Sequence, residues 1–598
     1  MDIKGGIKEL ATLNKYFVKH KWRLLAGIFF VICANALQNF NPMQTREAVN
    51  LLSDYLKNVK PGTGIDHVVR SDVSWQVFKI FVMYFAVALL SGAFTFLMRQ
   101  SIIVVSRLIE FDMKNDIYAH YQKIDLAFYR RNSTGDLMNR ITEDVARVRM
   151  YVGPAIMYAV NLFFSITFAI VAMLSINKTV ALYVLIPLPI LSLLIHYINN
   201  KIDKASGKVQ EKLSDLTVDA QETYSGIRVV QNYNREEEMI NHFKEETEEY
   251  KQRQLKLALV DSLWFPIMGF LVGCSTVLVL LFGGFEFAGQ RLSQGDLVAF
   301  FQYVNLLMWP VSSLGWVAGM VQRAITSQRR INQFLAHKPA VETGKGQDVK
   351  LQGEIVFDNV DFVYPDTGIH AIKNVNFKIK AGERWAVIGR TGSGKSTIAE
   401  LLMRMYDTTG GSILIDGHNI KDLELGSLRR QIGFVPQDVF LFSEDIYNNI
   451  AFGLPETDKE EAKQYAHHAS IGAEIERFPQ GYDTIVGERG VTLSGGQKQR
   501  ISIARALIKK PNILLLDDSL SAVDSATEKQ IQKSLDNLLA GKTAIVITHR
   551  IFALMHFDHI LVLDNGKITE QGSHEELMRR NGMYADIYNR QLQEETVK

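Results

Sequence analysis

Over roughly the first 330 residues, apolar positions come in long runs; beyond them they come in short runs separated by turns. A helix needs ~20 apolar residues to cross the hydrocarbon of a bilayer. Six stretches approach that length: Leu24–Thr45, Trp75–Ser101, Tyr151–Ile176, Val180–Ile198, Val260–Ala288 and Asp296–Val321. Pro187 and Pro189 in the fourth, Pro266 in the fifth and Pro310 in the sixth predict kinks. The connections after the second and fourth stretches are too long for turns, yet they are helical in period and poor in breakers. They predict extensions of the membrane helices, reversing near Asn132-Ser133-Thr134-Gly135-Asp136 and near Tyr224-Ser225-Gly226.

Charge orients these spans. The first long connection carries Arg107, Lys114, Lys123, Arg130, Arg131, Arg140, Arg147 and Arg149; the second carries Lys201, Lys204, Lys208, Lys212 and Arg228. The short connections after spans three and five hold little beyond Lys178 and Arg291. Basic loops stay cytoplasmic, so both long connections and both termini are expected there. The segment Lys57-Asn58-Val59-Lys60-Pro61-Gly62 is then external. Lys15, Lys19, Lys21 and Arg23 ahead of Leu24, with Ala34-Asn35-Ala36 after it, resemble a cleavable signal. Apolarity continues past Ala36, so an uncleaved first span is expected.

Asn35, Gln38, Asn39, Asn161, Gln302 and Asn305 place amides inside the spans, among aromatics such as Phe29, Phe163, Phe300, Trp309 and Trp316. Amides at that depth need other amides or a wet cavity. They can serve helix packing or line a substrate pathway, and the sequence leaves both open.

The 598 residues carry a net charge of +2, so no whole-chain field calls for nucleic acid. The only cysteines, Cys33 and Cys274, lie in apolar segments and are expected to be free.

In the second half, Trp385-Ala386-Val387-Ile388 runs into Gly389-Arg390-Thr391-Gly392-Ser393-Gly394-Lys395-Ser396, with a helix expected from Thr397. The glycines allow a tight loop whose N–H groups surround phosphate at a positive helix end. Lys395 can reach the β- and γ-phosphates of a nucleotide, and the Ser396 hydroxyl can ligate Mg2+. Ile513-Leu514-Leu515-Leu516-Asp517 reads as a buried strand ending in a carboxylate suited to a second Mg2+ contact. Between them, Leu493-Ser494-Gly495-Gly496-Gln497 precedes a helical stretch, Lys498 to Ile508, and again offers hydroxyl and N–H groups to an anion. One chain thus carries two phosphate-grasping elements, which is odd for a monomer.

Together these motifs resemble the ATP-binding-cassette family, and the first half resembles its fused-domain exporters, over nearly the whole chain. The resemblance implies an all-α domain of six membrane helices with cytoplasmic extensions (1–330) and a linker (331–352). An α/β P-loop ATPase domain with a helical subdomain (353–598) follows. It implies ATP and Mg2+ as ligands, and an LSGGQ element that grips the nucleotide on the partner's phosphate loop. Tyr364 is similar to the adenine-stacking aromatic, Gln437 to the lid glutamine near Mg2+, and His549 to the switch histidine near the γ-phosphate. Asp524 matches a loop aspartate linking the two sites, and Glu488 an exporter contact with the membrane domain. Phe128–Val148 and Gln221–Glu237 resemble the segments that couple the two domains.

One position departs. The family usually has glutamate directly after the strand-end aspartate, where it polarises the attacking water; here Asp518 stands there. Aspartate is one methylene shorter, which sets a general base back by roughly 1–1.5 Å. Ser519-Leu520 also replaces the usual Ala-Thr. This combination resembles the subunit of bacterial heterodimeric multidrug exporters whose own site does not hydrolyse. The resemblance implies an inner-membrane protein paired with a second half-transporter, moving a hydrophobic or amphipathic substrate. A homodimeric lipid or peptide exporter and an ATP-gated receptor or channel component remain alternatives.

Overall fold

A computed structural model describes residues 3–58, 72–341, 346–456, 458–487, 490–520, 523, 525–538, 540–549 and 557–596. The chain divides into two compact units: 1–119 with 137–336, and 120–136 with 337–598.

The first unit is helical. Five of its described helical segments are long and apolar enough to cross a membrane: 21–57, 72–121, 134–176, 236–288 and 294–335. The expected fourth span comes in two pieces, Lys178–Leu185 and Pro187–Ser225. Pro187 has no N–H for the Tyr183 carbonyl, which accepts from Ile186 instead. Pro266 likewise has none for Ser262, where the Glu236–Ser262 helix ends before Trp264–Ala288 begins. Pro310 lies inside the helix Gln294–Leu335, which continues through it.

The extensions are helical as the period predicts. Asp72–Tyr121 is one helix of 50 residues, and Pro187–Ser225 reverses at Gly226 through Ile227–Asn232 into Glu236–Ser262. The two returning helices are tied by buried Lys212, which meets Glu246 and lies 2.6 Å from Glu249. In the first connection the helices break twice, at 122–125 and, near the expected place, at 132–133, on either side of a short helix, Leu126–Arg131, N-capped by Asp125. Lys57 and Asn58 end a helix, and the remainder of the expected external segment, 59–62, lies outside the described residues.

Gln294–Leu335 forms the centre of the unit, burying Phe300, Tyr303, Val304 and Leu307 against Met173, Val180, Ala181 and Val279. Its start is set by a capping box, Ser293 with Asp296, and Arg46 pairs with Asp296. Gly295 permits that approach: a Cβ there would stand 2.2 Å from the Arg46 carbonyl. Both cysteines are free.

Asn35 is 2% exposed and donates to the Asn161 side chain at 2.8 Å, joining the first and third spans. For these two amides the structure favours packing. Exchanging Asn161 for leucine should then destabilise the bundle by about 0.6–2 kcal/mol. Denaturant unfolding in micelles measures this, and an unchanged midpoint would exclude the contact as a support.

The second unit contains two sheets. β1 (Ile355–Val363), β2 (His370–Ile379), β4 (Gly410–Ile415) and β5 (His418–Asn419) form an antiparallel sheet ordered β2-β1-β4-β5. β3 (Arg384–Gly389), β6 (Ile432–Val435), β7 (Ile513–Asp517), β8 (Thr543–Ile547), β9 (His559–Asp564) and β10 (Lys567–Gly572) form the other, ordered β10-β9-β3-β8-β7-β6. It is parallel except for β10. β7 is buried along its whole length, as an apolar run between helix-covered faces requires. Helices Ile446–Ala451, Lys459–His468 and Gly495–Leu507 form a helical layer whose apolar faces share a core with Val435, Leu514 and Leu516.

Candidate functional site

Strand order puts the site at the carboxyl ends of β3, β8 and β7, where crossovers leave in opposite directions and open α/β sheets bind their ligands. Asp517 pairs in register with Ile547, the Asp518 N–H donates to the Ile547 carbonyl at 2.8 Å, and Thr548 N–H donates to Val387. These bonds gather the phosphate-type loop, the strand-end carboxylates and His549 at one edge.

The loop from Gly389 turns through Gly392 at φ +78° and Gly394 at φ +100° into helix Lys395–Leu402. A Cβ at Gly394 would lie 2.5 Å from the Ala371 carbonyl, so bare backbone is needed there. Arg390, Thr391 and Ser393 fill the bend, and the buried Ser393 hydroxyl has no partner among the described residues. Lys395 is 6% exposed; its ammonium donates to the carbonyls of Gly389 (2.9 Å) and Arg390 (2.8 Å). Burial pushes its pKa down, while Asp517 and Asp518 pull it back.

Ser396 donates to Asp517 at 3.2 Å. Burial raises the Asp517 carboxyl to about 6, opposed first by the Ser396 hydrogen bond. A hydroxyl and a carboxylate are hard oxygen donors, the set Mg2+ takes when phosphates and water complete its shell. No cluster of three or more His, Cys, Asp or Glu is present among the described residues, so an all-protein cage is absent there. The donor set fits a cation that arrives with phosphate.

Tyr364 closes one side. Its hydroxyl meets Thr397 Oγ1 at 2.8 Å and Glu400 at 2.9 Å, and its ring packs edge-on against Phe362 and Tyr406. Arg130, from the short helix after Asp125, pairs with Glu400 at 2.5 Å and stands 5.3 Å from the Tyr364 ring centroid. Sequence reasoning missed Arg130 and Glu400 as neighbours of this side chain. The resemblance of Phe128–Val148 to a coupling segment and the basic end of Leu126–Arg131 were the signals available.

His549 follows β8, and Gln591 donates to its carbonyl at 2.5 Å. Burial and then the Lys395 charge hold its pKa below the usual value, against the pull of Asp518, and so favour the neutral imidazole. Asp518 sits at φ +44°, a left-handed conformation that aspartate tolerates better than most residues. Ser519 is buried with its hydroxyl unpartnered among the described residues, and Leu520 packs on the adjoining core.

Gln437, after β6, is exposed. The Ser494–Gln497 element also looks outward. Ser494 caps helix Gly495–Leu507, accepting from Gln497 N–H at 3.3 Å, while the Gln497 side chain accepts from Ser494 N–H and donates to Glu474. Arg500 holds Glu474 at 2.6 Å. Ser494 and Gly495 are exposed, Gly496 partly so, and their bonds run to this helix layer rather than to the loop at Lys395. Glu488 and Asp524 lie outside the described residues.

Residues 24–311 match the model of the ABC transporter transmembrane region, and residues 372–521 match that of the ABC transporter. A "Probable multidrug resistance ABC transporter ATP-binding/permease protein YheI" of Bacillus subtilis is 35% identical over 97% of this chain and 97% of its own length. The chain belongs to the ABC transporter family. Escherichia coli "Multidrug resistance-like ATP-binding protein MdlA" is 32% identical over 98% of this chain and 97% of its own. An "ATP-dependent lipid A-core flippase" of Syntrophus aciditrophicus is 33% identical over 88% and 87%. This is an ABC half-transporter, an integral membrane protein with its membrane-spanning and ATP-binding parts fused in one chain. The half-transporter carries two glycine-containing elements at helix N-termini, one at Lys395 and the other, exposed, at Ser494.

Proposed function

We propose that this half-transporter exports a hydrophobic or amphipathic substrate across the inner membrane, as one subunit of a heterodimer whose own ATP site hydrolyses little or nothing. The observation that carries this reading is the pairing of a short carboxylate, Asp518, with an intact, outward-facing LSGGQ. Relatives named for multidrug resistance and lipid flipping support export over import. The basic connections support a cytoplasmic ATP-binding unit and cytoplasmic termini.

In this reading the adenine of ATP stacks on Tyr364, whose ring is preset by its bonds to Thr397 and Glu400. The backbone from Gly389 to Thr397 encloses the phosphates, and Lys395 exchanges its two loop carbonyls for phosphate oxygens. Ser396, Asp517 and Gln437 would hold Mg2+, which, when bound, neutralises charge on the phosphates. Neutral His549 donates a hydrogen bond to the γ-phosphate. Asp518 approaches the water position but stops short of it, so this site holds ATP. Ser494, Gly495, Gly496 and Gln497 complete the site on the partner's phosphate loop, where hydrolysis occurs. Closure of the two ATP-binding units turns the membrane bundle outward, and hydrolysis resets it.

The partner is expected to carry glutamate at the position matching Asp518 and an altered LSGGQ. Co-purification from the native membrane identifies it. The chain purified alone should lack substrate-stimulated ATPase activity. A lone chain that dimerises with full transport-linked turnover would instead make it a homodimeric exporter, and turnover indifferent to every transported compound would make it a gate.

A further inference from the structure

Where helices Pro187–Ser225 and Glu236–Ser262 run side by side, they border a groove of about 530 Å³ lined by Lys201, Lys204, Lys208, Arg253 and Lys256 against a single acid, Glu211. Arg253 is engaged by Glu249 (2.6 Å), by the groove's own acid Glu211 (3.8 Å) and by the Lys208 carbonyl (3.0 Å). The four lysines form no ion pair among the described residues, and all four are exposed. Along Glu236–Ser262 seven of the eight acids lie in the portion remote from the membrane (Glu236, Glu237, Glu238, Glu245, Glu246, Glu248 and Glu249), and the eighth, Asp261, stands at the start of the span. Lys251, Arg253 and Lys256 follow towards the span.

The position relative to the bilayer follows from helix rise. Lys201, Lys204 and Lys208 lie about 5, 9 and 15 Å beyond the apolar run ending at Ile198, and Lys256 and Arg253 about 6 and 10 Å before the one starting at Val260. The headgroup layer is about 5–8 Å deep on each side, and a surface charge is felt over about another 8 Å. Exposed Tyr197 lies beneath Lys201, whose ammonium stands 4.8 Å from its ring, as an interfacial aromatic would. Orientation alone requires bases near the span ends, but not bases from two helices facing one groove, where they repel. An anion relieves that repulsion.

We infer that this groove binds the phosphate headgroup of an anionic phospholipid in the leaflet on the ATP-binding side, the side being taken from the span order proposed above. The lipid's tails would lie along the membrane portion of Pro187–Ser225 and along Trp264–Ala288, which follows Glu236–Ser262, and its phosphate would be shared by Lys204, Lys208 and Lys256.

Native mass spectrometry of the full-length transporter, with phosphatidylglycerol or phosphatidylcholine of equal chain length, tests this without reference to ATP turnover or export. The parent should retain phosphatidylglycerol over phosphatidylcholine by about tenfold or more, since each base near a charged surface contributes substantially. The triple change Lys204→Gln, Lys208→Gln, Lys256→Gln should abolish that preference, while Lys251→Gln, on the same helix outside the groove, should keep it. A salt titration of the parent, which needs no variant, should weaken retention of phosphatidylglycerol selectively. Equal retention of the two lipids by the parent, or a preference that survives the triple change, overturns the inference. So does displacement of phosphatidylglycerol by millimolar inorganic phosphate, which would mark a site for a free anion. Loss of dimer in the triple variant with lipid preference intact would assign the face to the second chain instead.

Discussion

In the assembled dimer, Ser494→Arg is expected to lower steady-state ATP turnover by about 100-fold or more, while Asp518→Asn lowers it by no more than about threefold. Ser494 is exposed at the start of helix Gly495–Leu507, its oxygen accepting from Gln497 N–H. That leaves its hydroxyl hydrogen to donate to a γ-phosphate presented by the partner. Losing one donor aimed at a phosphoryl-transfer transition state costs about 2.7–4 kcal/mol, which corresponds to a factor of 10²–10³. Arginine also removes the helix cap, at about 1 kcal/mol, and its bulk holds the two ATP-binding units apart. On the proposed assignment Asp518 faces ATP that is held rather than cleaved, so removing its charge would change little. Rates at saturating ATP, with assembly verified by size, give the comparison. Abolition by Asp518→Asn with Ser494→Arg tolerated would mean that the competent and silent sites are the reverse of those proposed.

Lys395→Ala should weaken ATP binding at this chain's own site by about 10–100-fold while leaving the unliganded fold nearly as stable. Hydrogen bonds to charged groups contribute about 1.5–3 kcal/mol each. Burial disfavours this ammonium while its bonds to the Gly389 and Arg390 carbonyls favour it, so the two effects of removing it from the ligand-free protein largely offset. What is lost is the cation that the triphosphate would meet. Photolabelling of this chain with azido-ATP reads the first effect and the ligand-free thermal midpoint the second. Equal labelling of variant and parent would remove Lys395 from the site.

The parts of the site that were legible in the sequence are those written in consecutive residues. Gly389–Ser396 announces its loop through glycines that only a left-handed or crowded backbone requires, and Ile513–Asp517 announces a buried strand through an unbroken apolar run. Spans were legible because hydrocarbon sets a length, and the reversal at Gly226 because a breaker sits between two charged helical runs. Arg130 was not legible as a neighbour of Tyr364: its helix has six residues, too few to show a period, and Glu400 is 270 positions away. Proline was an uneven guide. Pro187 and Pro266 coincide with breaks, whereas Pro42 and Pro310 lie inside helices that continue through them, as bundles tolerate when neighbours re-satisfy the backbone. The roles of Gln437 and Ser494 depend on a nucleotide and a second chain, so neither spacing nor the fold of one chain displays them.

The central claim is that this chain holds ATP at its own site while its LSGGQ completes hydrolysis elsewhere. It is tested most directly by following the γ-phosphate on this chain. The purified complex, turning over ATP, is photolabelled in parallel with azido-ATP carrying radioactivity in either the α- or the γ-phosphate, and the two chains are separated. Retention of the γ-label on this chain as long as the α-label, with rapid loss of the γ-label from the partner, is the expected result. Loss of the γ-label from this chain at the rate of steady-state turnover, with the α-label still bound, would contradict it.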